Sequence, residues 1–236
     1  METLIKTCLS IFIFGSIYCQ SYKITVLGYH TTDVTQTIHD SGRIEFNAQN
    51  RGLAGMIWPM NNYYSTTYDV QNFTLKEWSK NIKQGLFDNK NDCTLNSNAT
   101  LVYTNHDPII VSEPFHTIFT LLAKVQNNSS NDLDGKWLKF EHEGKLGSAR
   151  FLLADSSKAW NGKDSILCDH YRLDLKIIDT LNKIENSKDY FMKNIINDSF
   201  VRELWVSKTD KKQIILAKIH TPWISLIAQI EAPKEN

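Results

Sequence analysis

Apolar and polar side chains alternate in one segment after another of this chain, and that two-residue period constrains the fold more than any other feature. Tyr22, Ile24 and Val26 fall on one side of segment 21–30, with Lys23 and Thr25 on the other. Ile44, Phe46 and Ala48 alternate with Arg43, Glu45 and Asn47 over 42–50. Tyr171, Leu173, Leu175 and Ile177 oppose Arg172, Asp174 and Lys176. Successive strand residues point to opposite faces, so these are half-buried strands. Further strands are read at KWLKFEHEG, SARFLLADS, VRELWVSKT, KQIILAKIH and WISLIAQIE, with breaks at Asp210 and Thr221-Pro222. Asp40-Ser41-Gly42 signals a hairpin, and Asn161-Gly162 reads as a type I′ turn because both residues tolerate positive φ. Short turns between successive strands imply an antiparallel meander, since parallel neighbours need long crossovers.

One segment departs from this period. In SEPFHTIFTLLAKVQNN the spacing predicts a helix over about 113–126, with Ser112 as its cap and Pro114 in its first turn. Phe115, Ile118, Phe119, Leu122 and Val125 form its apolar stripe. A short helical turn is read near 188–195, with Ser187 as cap. The expected fold is mainly β: a curved antiparallel sheet or incomplete β-barrel, with the helix packed across its concavity or mouth. Residues 20–236 show no linker or repeat and are read as a single domain.

The chain opens METLIKTCLSIFIFGSIYCQ, where Lys6 precedes the apolar run Thr7–Cys19. That run is shorter than the ~20 residues a bilayer span needs and matches a secretory signal covering 1–19. An exported protein of the periplasm or cell envelope is therefore expected. Cys19 as a lipidated first residue is the alternative, disfavoured by the bulky Tyr18 before it. No later apolar run approaches spanning length. Lys plus Arg and Asp plus Glu balance at 26 each, so no global field favours nucleic acid. Cys93 and Cys168 remain after the signal, and an oxidising compartment leaves their pairing as an open alternative. Asn is so frequent that the five glycosylation sequons carry no argument.

Catalytic motifs are absent: no Gly-x-Ser-x-Gly, His-Glu-x-x-His or phosphate loop occurs. In FEHEG, strand alternation would put Glu141 and Glu143 together as solvated carboxylates, with His142 half-buried opposite. Cys168 and His170 share a strand face but lack partners to complete a zinc ligand set. Neither a metal nor a cofactor is expected. The stretch GLAGMIWPMNNYYSTTYD carries no charge until Asp69. Its first part reads as a short apolar strand broken by Pro59, and its second as a Tyr-rich strand with Tyr64, Thr66 and Tyr68 on one face. Ordinary sheet core explains this stretch, and aromatics with polar tips also suit a wet-edged cavity or an interface.

The phrases NAQNRGLAGMIWPMNNYYSTTYD, WSKNIKQG, PFHTIFTLLAKV, DHYRLDLKI and VRELWVSK resemble the exported bacterial family known as domain of unknown function 3108, over about residues 21–231. Composition and the signal ending before Gln20 resemble a Bacteroidota-like member. The helix opening Ser112-Glu113-Pro114 is a looser version of that family's pattern. The resemblance implies a mostly β cell-envelope protein without assigned activity. Three functions follow as expectations. The first is a binding or carrier module for an apolar or lipid-like ligand, with Trp58, Tyr64, Tyr68, Phe115, Phe119 and Leu122 as candidate contacts. The second is an envelope interaction or structural protein docking a protein partner. The third is a hydrolase using His170, Asp169, His142 and Glu141.

Overall fold

The computed structural model describes residues 17–104, 106–111, 114–179 and 189–232. Eight strands come first: β1 (Ile17–Val26), β2 (Tyr29–His39), β3 (Arg43–Asn50), β4 (Met60–Tyr68), β5 (Leu75–Gln84), β6 (Phe87–Leu95), β7 (Thr100–Tyr103) and β8 (His106–Ile110). Six follow: β9 (Leu138–His142), β10 (Lys145–Trp160), β11 (Ser165–Asp179), β12 (Val201–Ser207), β13 (Ile214–His220) and β14 (Ser225–Ile230). Each pairs antiparallel with its sequence neighbour inside its own meander. One non-sequential pairing, β1 with β14, joins the two meanders into a single 14-stranded sheet whose outer strands are β8 and β9. Strand twist accumulates over so many strands, and the sheet curls around its apolar face.

The link between β8 and β9 carries the helices α2 (Ile118–Asn127) and α3 (Ser130–Leu133) across that concave face. In α2, Ile118, Leu121, Ala123 and Val125 are buried, and Phe119 packs 4.9 Å from Phe46 and 5.2 Å from Tyr64 between ring centroids. The curved sheet with its packed helix is thus as expected. The helix starts later, however, at the cap Thr117, whose side chain and that of Thr120 form a reciprocal capping box. Ser112 and Glu113 lie outside the described residues. Pro114 and Phe115 precede the helix because the backbone here bridges an open seam. Phe115 O accepts from Leu75 N at the start of β5, while His116 exchanges two hydrogen bonds with the outer edge of β9, to Lys139 O and from Glu141 N. The sheet does not close into a barrel by strand pairing; this short extended segment spans the gap.

The second predicted helical turn is α4 (Tyr190–Ile196), capped by Asp189, which accepts from Met192 N; Ser187 lies outside the described residues. Three local readings are corrected. Segment 21–30 is not one strand: Leu27 and Gly28, both at positive φ, turn β1 into β2. Asn161-Gly162 is not a two-residue turn but half of a four-residue loop, in which Asn161 Oδ1 accepts from Lys163 N and Asp164 N. Gly52–Ile57 is the helix α1 rather than a strand, and Leu53, Met56 and Ile57 on it are exposed. The Tyr-rich segment does form β4, with Tyr64, Thr66 and Tyr68 buried. The cysteines do not pair. Cys93 and Cys168 are free, buried thiols in two separate hydrophobic clusters.

At Gly147 the β10–β11 register shifts, and a Cβ there would stand 2.2 Å from Lys176 O and 3.1 Å from Ile177 Cα. Both obstacles are backbone atoms, so Gly147→Ala should lower stability by about 2 kcal/mol or more. Urea denaturation with an unchanged m-value checks this; a loss below about 0.5 kcal/mol would contradict the close approach.

Candidate functional site

Between α2 and the far wall of the sheet lies a cavity of about 420 Å³, within the ~300–1,000 Å³ typical of small-molecule pockets. Tyr22, Val34, Phe46 and Met60 line its β1–β4 side, and Leu204, Ile214, Leu226 and Ala228 its β12–β14 side. Phe119 and Leu122 of α2 and Phe191 and Met192 of α4 form its plug-facing walls. The cavity exists because the inward face of the sheet is wider than two short helices can fill. Ala217 and Ala228 are cross-strand partners on the lining and remain only partly buried, which marks where side-chain volume runs out.

Of the six expected ligand contacts, Trp58, Tyr64, Phe119 and Leu122 line this cavity. Tyr68 and Phe115 do not. Tyr68 stacks on Phe73 at 5.5 Å, and Phe115 belongs to the second cluster with Leu75, Trp78 and Tyr103. Trp58 stands at the mouth, edge-on to Tyr190 at 6.1 Å and packed over Gly85. The far wall was not foreseen as a site, since its residues differ in no way from ordinary inward strand positions.

A buried polar relay reaches the cavity wall at Tyr22 and Gln36. Gln126 Nε2 donates to Leu122 O, and Gln20 Nε2 donates to Gln126 Oε1. The Tyr22 hydroxyl then donates to Gln20 Oε1 and also lies 3.1 Å from Gln36 Oε1. A tyrosine hydroxyl has a single proton, and the backbone carbonyl at the far end orients every amide up to Tyr22. That proton therefore goes to Gln20. Gln36, 1% exposed and on the cavity lining, keeps an amide end without a partner. Among the described residues it is the unpartnered buried polar group on the wall that a ligand could satisfy. Arg202 also lines the cavity, but its guanidinium is engaged by the carbonyls of Ile195, Asn197 and Phe200, and burial lowers its pKa to about 10.

A second group of acid and base residues sits along the seam, apart from the cavity-lining Arg202, Glu203 and Lys218. Glu141 and Glu143 are buried, not solvated as strand alternation suggested. Glu143 occupies the turn between β9 and β10 at positive φ and swings back under the sheet. It pairs with the buried Lys80, whose ammonium is also 3.9 Å from Asp189. Glu141 accepts from Trp78 Nε1, Tyr103 OH and Gly144 N. Burial raises its pKa to about 7 against those hydrogen bonds. Burial also pushes His142 and His116 down to about 4. The free space beside this cluster is about 20 Å³, the size of roughly one water molecule. No substrate fits there, and the charges act as a staple between the two halves of the sheet.

The hydrolase candidates do not converge. His170 stacks on Trp205 at 4.0 Å and meets Asp155 at 3.2 Å and Glu203 at 3.1 Å. Asp169 instead pairs with Lys208 at 2.8 Å. His220 reaches the other Glu203 oxygen at 2.7 Å, a convergence invisible in the sequence. Among the described residues no group of three or more such side chains is arranged to hold a metal ion.

The seam gives a pH signature. Glu141 has a folded pKa above its unfolded 4.5, so its contribution is fully present below 4.5 and is lost as pH rises through 7. His142 and His116 act oppositely: their contribution is present above 6.5 and is lost as pH falls through 4. Both histidines cancel in a comparison of wild type with Glu141→Gln. The stability difference, wild type minus variant, should fall by about 3 kcal/mol between pH 4 and pH 8. Urea denaturation across that range checks it, and a constant difference would contradict the buried carboxyl.

No family model matches the chain, and no curated protein matches its sequence. Among solved structures, the crystal structure of a beta-barrel-like protein of domain of unknown function DUF1849 from Brucella abortus is similar. The TM-score is 0.56, over 90% of this chain and 94% of that one, at 6% identity. The likeness is one of fold: both chains build a barrel-like sheet from nearly unrelated sequences.

Proposed function

We propose that this chain is an exported cell-envelope protein that binds and carries an apolar or lipid-like molecule in the concave cavity. The observation that carries the reading is the cavity itself, about 420 Å³ and walled mainly by Tyr, Phe, Leu, Ile, Met and Ala. Its apolar wall is in contact with solvent at the mouth, and an apolar occupant would remove that surface from water, worth ~25 cal/mol per Å² buried. Gln36 suits one polar group on an otherwise apolar ligand. The signal-like segment 1–19 and the resemblance to domain of unknown function 3108 support an envelope location.

Solvent extraction of the purified protein followed by mass spectrometry tests this. We expect a long-chain apolar or amphipathic species near one per protein. Protein free of such species, which also fails to enhance the fluorescence of a long-chain fatty-acid probe, would contradict the reading. Ala217→Trp, which places an indole in the cavity, should lower probe affinity by about tenfold or more.

A further inference from the structure

Apart from Ile110, the most exposed apolar side chains among the described residues gather at one end of the sheet. Strand register fixes which turns share that end. Val26 pairs with both Tyr29 and Leu226, so the β1–β2 and β13–β14 turns are adjacent. Thr32 opposite Asn50 brings α1 alongside, and Met60 opposite Gln84 adds the β5–β6 turn. These four connections carry Leu27 and Tyr29, then Trp223, then Leu53, Met56 and Ile57, then Leu86. Met56 is 81%, Ile57 82% and Trp223 90% exposed, and Leu86 is fully exposed. The turns at the opposite end are more charged, with Asp40, Asp69, Lys208, Asp210, Lys211 and Lys212, and their exposed apolar residues, such as Val70 and Trp160, are only about half exposed.

We propose that this apolar rim docks on the surface of a phospholipid bilayer, with α1 and the three turns inserted at the headgroup–acyl boundary. Three observations select a bilayer over a protein partner. The rim is not a face: it is a ring of separate projections around the cavity mouth, where Trp58 and Tyr190 are both lining and partly exposed. A fluid apolar phase fits such a ring and is continuous with the cavity's own chemistry. The rim also mixes aliphatic side chains with Tyr29, Trp58, Tyr190 and Trp223, amphipathic rings that settle at membrane interfaces. Finally, two of the rim's cations meet carboxylates of the protein itself, Arg51 meeting Asp33 at 2.6 Å and Lys83 meeting Asp88 at 3.8 Å. Attachment therefore comes from apolar insertion and is insensitive to salt. The proposal gains its purpose from the carrier reading, but the surface exists independently of what the cavity holds.

Flotation of the full chain with phosphatidylcholine vesicles tests it. Wild type should float at low and high salt alike. The double variant Met56→Asp and Ile57→Asp, and separately Trp223→Asp, should lose vesicle partitioning by about tenfold or more. None of the three residues lines the cavity, so these variants should still load the fatty-acid probe in solution, which also reports that they are folded. Ile110→Asp, at the opposite end and equally exposed, should float as wild type does. Wild type that stays in the dense fraction, or rim variants that float normally, would overturn the proposal. So would a rim that captures a protein while ignoring protein-free vesicles. Flotation without any probe loading would uphold docking while removing the carrier reading.

Discussion

Everything in this structure depends on a mismatch of area. Fourteen antiparallel strands present one apolar face, and strand twist obliges that face to curl inward. Among the described residues, the short helices α2, α3 and α4 cover it. Where they fit, at Phe46, Tyr64 and Leu121, the interior is close-packed. Where they fall short, on the β12–β14 side, Ala217 and Ala228 face open space. A sheet with a smaller inward face would have closed on its own side chains and left no cavity.

The same geometry explains the seam. The outer strands β8 and β9 never pair with one another, yet two open edges would invite association with other chains. Phe115 and His116 tie the outer edge of β9 to the start of β5, and the buried Lys80–Glu143 pair and the triply bonded Glu141 add side-chain contacts across the same seam. Buried charges of this kind contribute little net stability, because desolvation offsets their attraction. Their value here is in register: moving β9 against β5 would leave a buried charge alone, which typically costs about 3–5 kcal/mol. Fold and cavity are therefore held by different forces, polar at the seam and apolar at the plug.

Much of this was legible from alternation alone. The inward sets Ile44–Phe46–Ala48 and Tyr171–Leu173–Leu175, the Tyr-rich β4 and the plug residues Phe119 and Leu122 all follow from period and spacing. Other features were hidden for identifiable reasons. The turn at Leu27-Gly28 puts a leucine at positive φ, which propensity disfavours, so segment 21–30 looked continuous. The uncharged α1 imitated a buried strand because exposure cannot be read from composition, and its apolar residues turned out to face solvent. Glu141 and Glu143 looked solvated because their partners Lys80, Trp78 and Tyr103 lie some forty to sixty residues away, beyond any local pattern. The far cavity wall offers no signal, since a cavity is defined by what fails to reach it.

A substitution that adds volume at the open wall asks directly whether the inner face is too wide for its plug. In a close-packed core, enlarging an alanine costs about 1–3 kcal/mol. Ala217→Leu in ligand-stripped protein, followed by urea denaturation, should instead leave stability unchanged or raise it. A loss of 1–3 kcal/mol, as in any filled core, would mean that side chains already occupy the space and that no cavity is there to be used.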